Sequence, residues 1–293
     1  MPSLIEKIAY NKPPRFKKEQ LRFVPVYIDV PQLNQKIYID IIEPPTQLKQ
    51  LPFTIIYSHS NQETANIQHT WLTDVSKMLC SRIISYDYLG YGMNTGVPTE
   101  SSSNMIAVAI YDYVQATYPL QSVISWGRSI GSTTATFLAQ TKQIYALIIE
   151  SGLSSGIQVF CKKPLCVPST FNNALRLLSV KCRTLIVHGT EDELVPFRCA
   201  EENFNKLRKE NPVKEYYNTK HQERIRETEQ CVFVSVNGAG HNDIDNCYEE
   251  TLIDSMIDFL GEEFKMCTYA NKQVKTSGQQ TQAQVGRSDM FFE

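Results

Sequence analysis

Along the chain, short apolar runs alternate with segments whose apolar positions recur every three to four residues. The short runs are rich in β-branched and aromatic residues, the composition of buried strands. They are FVPVYIDV (23–30), KIYIDII (36–42), FTIIYSH (53–59), RIISYDY (82–88), SVISW (122–126), YALIIE (145–150), RTLIVHG (183–189) and CVFVSVNG (231–238). Between most of the later runs stand the helix-period segments NIQHTWLTDVSKMLC, SSNMIAVAIYDYVQATY, SIGSTTATFLAQ and CAEENFNKLRKE. Strands without polar alternation must be covered on both faces, so the pattern predicts an α/β domain with an eight-stranded, mostly parallel sheet and helices on either side. The first two runs have no helix between them, which predicts an antiparallel hairpin at one edge.

This rhythm occupies residues 21–266 and predicts one domain. Residues 1–20 form an N-terminal arm. Leu4, Ile5 and Ile8 fit one short amphipathic turn before Pro13, and the basic residues Lys12, Arg15, Lys17, Lys18 and Arg22 follow; a solvated arm is the alternative. Residues 210–230 mix both charges without an apolar face and read as a solvated insertion. From 267 to 293 the chain is polar, Gln-rich and aperiodic, the composition of a disordered tail. Between the sixth and seventh predicted strands, residues 152–182 form a short lid that carries Leu153, Val159 and Phe171 among its apolar positions.

Composition narrows the function. Of 293 residues, 42% are hydrophobic, enough to bury a sizeable core, and a net charge of -2 leaves no basic footprint for nucleic acid. Eight cysteines are scattered without framework spacing. Cys161-Lys-Lys-Pro-Leu-Cys166 lacks a second Cys or His pair, so buried thiols are expected rather than a zinc site. The start of the chain offers no unbroken apolar stretch for a signal peptide, no Asn-x-Ser/Thr acceptor occurs, and no apolar run approaches bilayer length. A cytoplasmic rather than secreted protein is expected.

The candidate chemistry begins at Gly127-Arg128-Ser129-Ile130-Gly131, which directly follows a predicted strand and opens a predicted helix. That is the context of a nucleophile elbow, where a strained turn lifts a serine above the sheet edge and the helix N-terminus faces a developing oxyanion. A serine needs a base, and the base an orienting acid, in the chain order Ser, acid, His. Asp192 lies just past the seventh strand and His241 in the Gly-rich loop after the last. Glu150, at the end of the sixth strand, and Glu191 and Glu193 compete for the acid. His59, His69, His188 and His221 compete for the base; His188 reads as a packing residue, and His69 and His221 as partnerless. A purely structural turn is the alternative for Ser129. The backbone N–H of Ile130 is one expected oxyanion donor, and the third-strand loop supplies the other, Asn61 or else Gln62. This chemistry calls for no cofactor and no metal.

The stretches YSHSN, SYDYLGYG, WGRSIG, SGLSSGI, HGTEDE and GAGHND, spread from about residue 57 to 243, resemble the alpha/beta-hydrolase domain-containing protein 17 family, as does KIAYNKPP near the start. The resemblance implies the alpha/beta-hydrolase fold and a membrane-associated serine hydrolase that removes palmitate from S-acylated proteins. It places the family triad on Ser129, Asp192 and His241. A carboxylesterase, monoacylglycerol lipase or serine peptidase would use the same triad, and a non-catalytic scaffold is the further alternative. Three departures stand out. Ser60 replaces a family Gly in the oxyanion loop, the family's Cys-rich N-terminus is absent with Pro2 in place of a myristoyl acceptor, and the 210–230 insertion is long. The expected partners are an S-acylated protein or other acyl ester and, transiently, the cytosolic face of a membrane touched by the basic arm.

Overall fold

The computed structural model describes residues 2–14, 17–156, 159 and 170–271. Ten strands form one sheet: β1 (Val26–Val30), β2 (Gln35–Ile42), β3 (Phe53–Ser58), β4 (Arg82–Tyr86), β5 (Ser122–Arg128), β6 (Ala146–Glu150), β7 (Arg183–Gly189), β8 (Lys214–Asn218), β9 (Glu223–Glu227) and β10 (Cys231–Val236). Their spatial order is β1-β2-β4-β3-β5-β6-β7-β10-β9-β8. The six strands from β4 to β10 in that order are parallel, and β1 and β2 make the expected antiparallel hairpin. All eight predicted strands are present, with β5 extended by two residues, β2 by one, β7 unchanged and the rest trimmed.

The helices are α1 (Leu4–Ala9), α2 (Ala65–Met78), α3 (Glu100–Thr117), α4 (Gly131–Thr141), α5 (Asn173–Arg176), α6 (Arg198–Arg208) and α7 (Glu249–Leu260). One face of the sheet packs on Ile106 and Ile110 of α3, Leu138 of α4 and Phe204 of α6. The other packs on Leu72 and Val75 of α2 and Met256 of α7. Neighbouring residues of one strand divide between the two cores, Ile56 going to the first and Ile55 to the second. That is why these strands are apolar at successive positions.

Three regions depart from the sequence reading. The 210–230 segment is not a solvated loop: β8 and β9 form a hairpin, and β9 pairs antiparallel with β10. Its apolar signal is slight because Ile225 is its buried hydrophobic residue, while Arg224 and Glu215 pair across the strands at 2.9 Å and Arg226 lies over the rings of Phe204 and Phe233. Charge pairing and cation–π contact replace the usual alternation.

The N-terminal arm is likewise packed. Ser3 caps α1 and Glu6 closes the capping box, while Tyr10 is buried against Tyr88, Tyr91 and Phe171 with its hydroxyl 2.8 Å from that of Ser103. Of the two readings of the arm, the short amphipathic turn is the one found. The expected tail starts too early, since residues 262–271 are helical and Asn271 hydrogen-bonds Lys49 and Cys80. Phe264, Cys267, Thr268 and Asn271 are buried at helical spacing, but the last two are polar and give no apolar signal. Residues 272–293 and most of the lid, including Cys161 and Cys166, lie outside the described residues. Cys80, Cys199, Cys231 and Cys267 are buried; Cys247 is exposed. No helix among the described residues is long and apolar enough to cross a membrane.

The chain leaves β3 for β4 on one side and then crosses back to β5 on the other. A crevice opens at the carboxyl ends of β3 and β5, where connections diverge to opposite sides.

Candidate active site

Ser129 follows the last residue of β5 with φ at 53°, a left-handed conformation that L residues adopt only where surrounding structure enforces it. Its N–H donates to the Glu150 carbonyl at 2.9 Å, which pins the turn to β6. The flanking glycines are demanded by contact. A Cβ on Gly127 would lie 2.4 Å from the Gly131 carbonyl oxygen, and one on Gly131 would lie 2.0 Å from that of Ser58. The backbone therefore folds onto itself and onto the end of β3 only if both positions lack a side chain.

The Ser129 hydroxyl lies 2.9 Å from Nε2 of His241, and Nδ1 of His241 lies 2.7 Å from Oδ2 of Asp192. The carboxylate beside Nδ1 holds the ring proton there, leaving Nε2 free to accept from Ser129. Oδ1 of Asp192 accepts the N–H groups of Leu194 and Val195 at 3.0 and 2.7 Å. Burial pushes the Asp192 carboxyl up, but hydrogen bonds from His188 and His241 outweigh it and hold the group well below the usual carboxylate range. It is ionised near neutral pH.

The competing residues go elsewhere. Glu150 is buried, accepts from the indole of Trp126 at 3.0 Å and lies 3.2 Å from Nε of Arg128. Burial first, with the charge of Asp245 adding to it, pushes Glu150 up to about 7 despite Arg128. His69 and His221 are not partnerless: they pair with Asp40 at 2.7 Å and Asp254 at 3.0 Å. His59 is buried between the Ser60 carbonyl and Asp87. His188 does more than pack. Its Nε2 donates to the Val195 carbonyl at 2.7 Å and lies 3.3 Å from Oδ2 of Asp192, so it steadies the loop and the carboxylate together.

Arg128 is the largest omission of the sequence reading. It is 3% exposed and reaches Glu63, Glu150 and Asp245, together with Asn242 and the His241 carbonyl. Ser60, where the resemblance expects Gly, gives its N–H to Glu63 Oε2 at 2.9 Å and so is already committed.

Ser129, Ile130, Asn61 and Gln62 all line one cavity of about 340 Å³. Its apolar wall comes from Ile5, Ile8 and Ala9 of α1 and from Leu153, Val159 and Phe171. Leu175 and Leu178, apolar positions of the same 152–182 segment, are exposed instead. A group with metal-ligand chemistry, His221, Glu250 and Asp254, lies within 4.8 Å, but the Lys220 ammonium already sits 2.9 and 2.5 Å from its carboxylates. His221 and Asp254 line a different cavity.

No family model matches the chain. It is 31% identical over 165 residues to the alpha/beta hydrolase domain-containing protein aho-3 of Caenorhabditis elegans, covering 52% of this chain and 48% of that protein. It is 29% identical over 198 residues to alpha/beta hydrolase domain-containing protein 17B of Homo sapiens, covering 66% and 62%. The chain thus spans about half to three fifths of the length of these curated relatives. Among solved structures, an esterase of Pyrococcus furiosus superposes with a TM-score of 0.62 at 16% identity, covering 85% of this chain and 96% of that one. An alpha-beta serine hydrolase homologue of Coxiella burnetii superposes at 0.59 with 17% identity, covering 80% and 97%. The chain therefore has the alpha/beta-hydrolase fold and is related to the alpha/beta hydrolase domain-containing 17 proteins.

Proposed function

We propose that this chain is a serine hydrolase of acyl thioesters that removes palmitate from S-acylated cysteines of proteins. The observation that carries the reading is the unbroken hydrogen-bond line from Asp192 through His241 to Ser129 at the edge of an apolar cavity. In this reading His241 Nε2 takes the Ser129 proton as the oxygen attacks the acyl carbonyl. The N–H groups of Ile130 and Asn61 receive the oxyanion, and Asp192 steadies the imidazolium without taking the proton. His241 then returns the proton toward the departing sulfur. A leaving thiol with pKa about 8.5 needs little acid assistance. Water activated by the same His releases the acid and restores Ser129.

The hydrocarbon chain lies against Ile5, Ile8, Leu153, Val159 and Phe171 in this scheme. Ile8 and Leu194, 54% and 60% exposed, stand at the rim, with room for a protein-borne substrate. Half-exposed Ile8 and the exposed Lys7, Lys12, Lys17 and Lys18 of the same N-terminal arm suit transient contact with the cytosolic face of a membrane, each basic residue contributing about 1 kcal/mol there. Recovery of the chain wholly in a salt-resistant membrane pellet would contradict that weak attachment.

The test is Ser129→Ala, with fluorophosphonate labelling and the kcat/KM of the unmodified chain for a palmitoyl-peptide thioester, a short ester and a monoacylglycerol. Labelling and hydrolysis should vanish while circular dichroism is unchanged. Persistent labelling of folded Ser129→Ala removes the nucleophile assignment. A monoacylglycerol preference above about tenfold makes the chain a lipase, and a folded wild type that never labels makes it a scaffold.

A further inference from the structure

Arg128 occupies the position before the proposed nucleophile, yet its guanidinium is spent on two loops that are far apart in sequence. Nη1 pairs with Oε1 of Glu63, whose Oε2 accepts the Ser60 N–H at 2.9 Å and the Tyr57 hydroxyl at 3.4 Å. That carboxylate thus closes the loop on which Asn61 sits. Nη2 donates to Asn242 Oδ1 at 3.1 Å, to Asp245 Oδ1 at 3.2 Å and to the His241 carbonyl at 3.5 Å. Nε faces Glu150 at the end of β6. Glu63, Asn242 and His241 all line the cavity that holds Ser129.

The planar fork allows this and an ammonium does not, because five N–H donors in fixed directions reach two loops and the end of β6 at once. The base and the oxyanion loop have no other shared anchor among these contacts. Resting on the serine-hydrolase reading, we propose that Arg128 is a positioning residue that holds the oxyanion loop and the His241 loop in register with Ser129. It touches no reacting atom. Its role is to keep the Asn61 N–H and His241 Nε2 aimed at the same acyl carbonyl, where a misplacement near 1 Å costs about 10²-fold.

The test compares Arg128→Lys, which keeps the charge, with Arg128→Ala, Glu63→Gln and Asn242→Ala, each normalised to the fraction of sites titrated by fluorophosphonate. Arg128→Lys should fold and lose kcat by roughly 10²-fold with KM nearly unchanged. Arg128→Ala should recover at least about tenfold on addition of guanidinium ion, which refills the vacated fork. Glu63→Gln and Asn242→Ala, each severing one arm, should fall between Lys and wild type. If wild type labels and Arg128→Lys retains kcat per titrated site, the inference is overturned alone. It is overturned equally if Arg128→Ala loses activity only in proportion to unfolded chain and guanidinium restores nothing. A wild type that neither labels nor hydrolyses overturns the hydrolase reading, and this inference with it.

Discussion

The carboxyl ends of β6 and β7 lie side by side, Glu150 in register with Val187, and each delivers a buried carboxylate to the same edge of the sheet. Their environments are opposite. Asp192, just past β7, is surrounded by donors: two backbone N–H groups, His241 and His188. Glu150 shares a single guanidinium with Glu63 and Asp245, so three carboxylates compete for one cation inside the protein. Hydrogen bonds keep the first ionised, and burial pushes the second up to about 7. Proximity to the edge does not keep an acid ionised. The donors around it do.

The largest effect expected from this contrast is on turnover. Asp192→Asn should lower kcat by about 10⁴-fold, the scale for an imidazole left in the wrong tautomer, while Glu150→Gln should stay within about threefold. The reverse ranking of kcat would assign the acid to β6. A smaller effect should follow His188→Phe, which keeps a ring but removes the donor beside Asp192. A hydrogen bond to a charged group near 1.5 kcal/mol predicts about a tenfold loss in kcat. An unchanged kcat would mean that His188 only fills space.

The smallest effect is on stability, and its sign separates the two groups. Glu150 binds its proton more tightly when folded, 4.5 being its ordinary value and about 7 its value here. Its stabilisation is complete below 4.5 and is lost as pH rises through about 7. Asp192 runs the other way: its stabilisation is complete above 3.8 and is lost as pH falls toward its depressed value. Between pH 5 and 8 the Glu150 slope operates and that of Asp192 does not. Urea midpoints of Glu150→Gln should therefore change less over that range than those of the unmodified chain. An equal or steeper change would mean that Glu150 is ionised throughout.

The sequence by itself determined the α/β layering, the positions of the principal strands along the chain and the strand ends that carry Ser129, Asp192 and His241. Each of those rests on a local signal: an apolar run, a helix period, or glycines bracketing a turn at a strand end. The β8–β9 hairpin escaped because its stability comes from Arg224 on Glu215 and Arg226 on two rings, contacts that a hydrophobic pattern does not register. Helix α1 was legible only as one of two readings of the arm, since six residues carry too short a period and its docking depends on Tyr10 finding an aromatic pocket built from Tyr88, Tyr91 and Phe171. Tertiary structure alone decided the fates of Arg128, Glu150 and His188. Glu63, Glu150 and Asp245 are separated by most of the domain, and nothing but the folding of three strand ends onto one edge makes them compete for a single guanidinium. Ionisable groups take their character from the neighbours and water that the fold leaves them, which is information that no local run of residues contains.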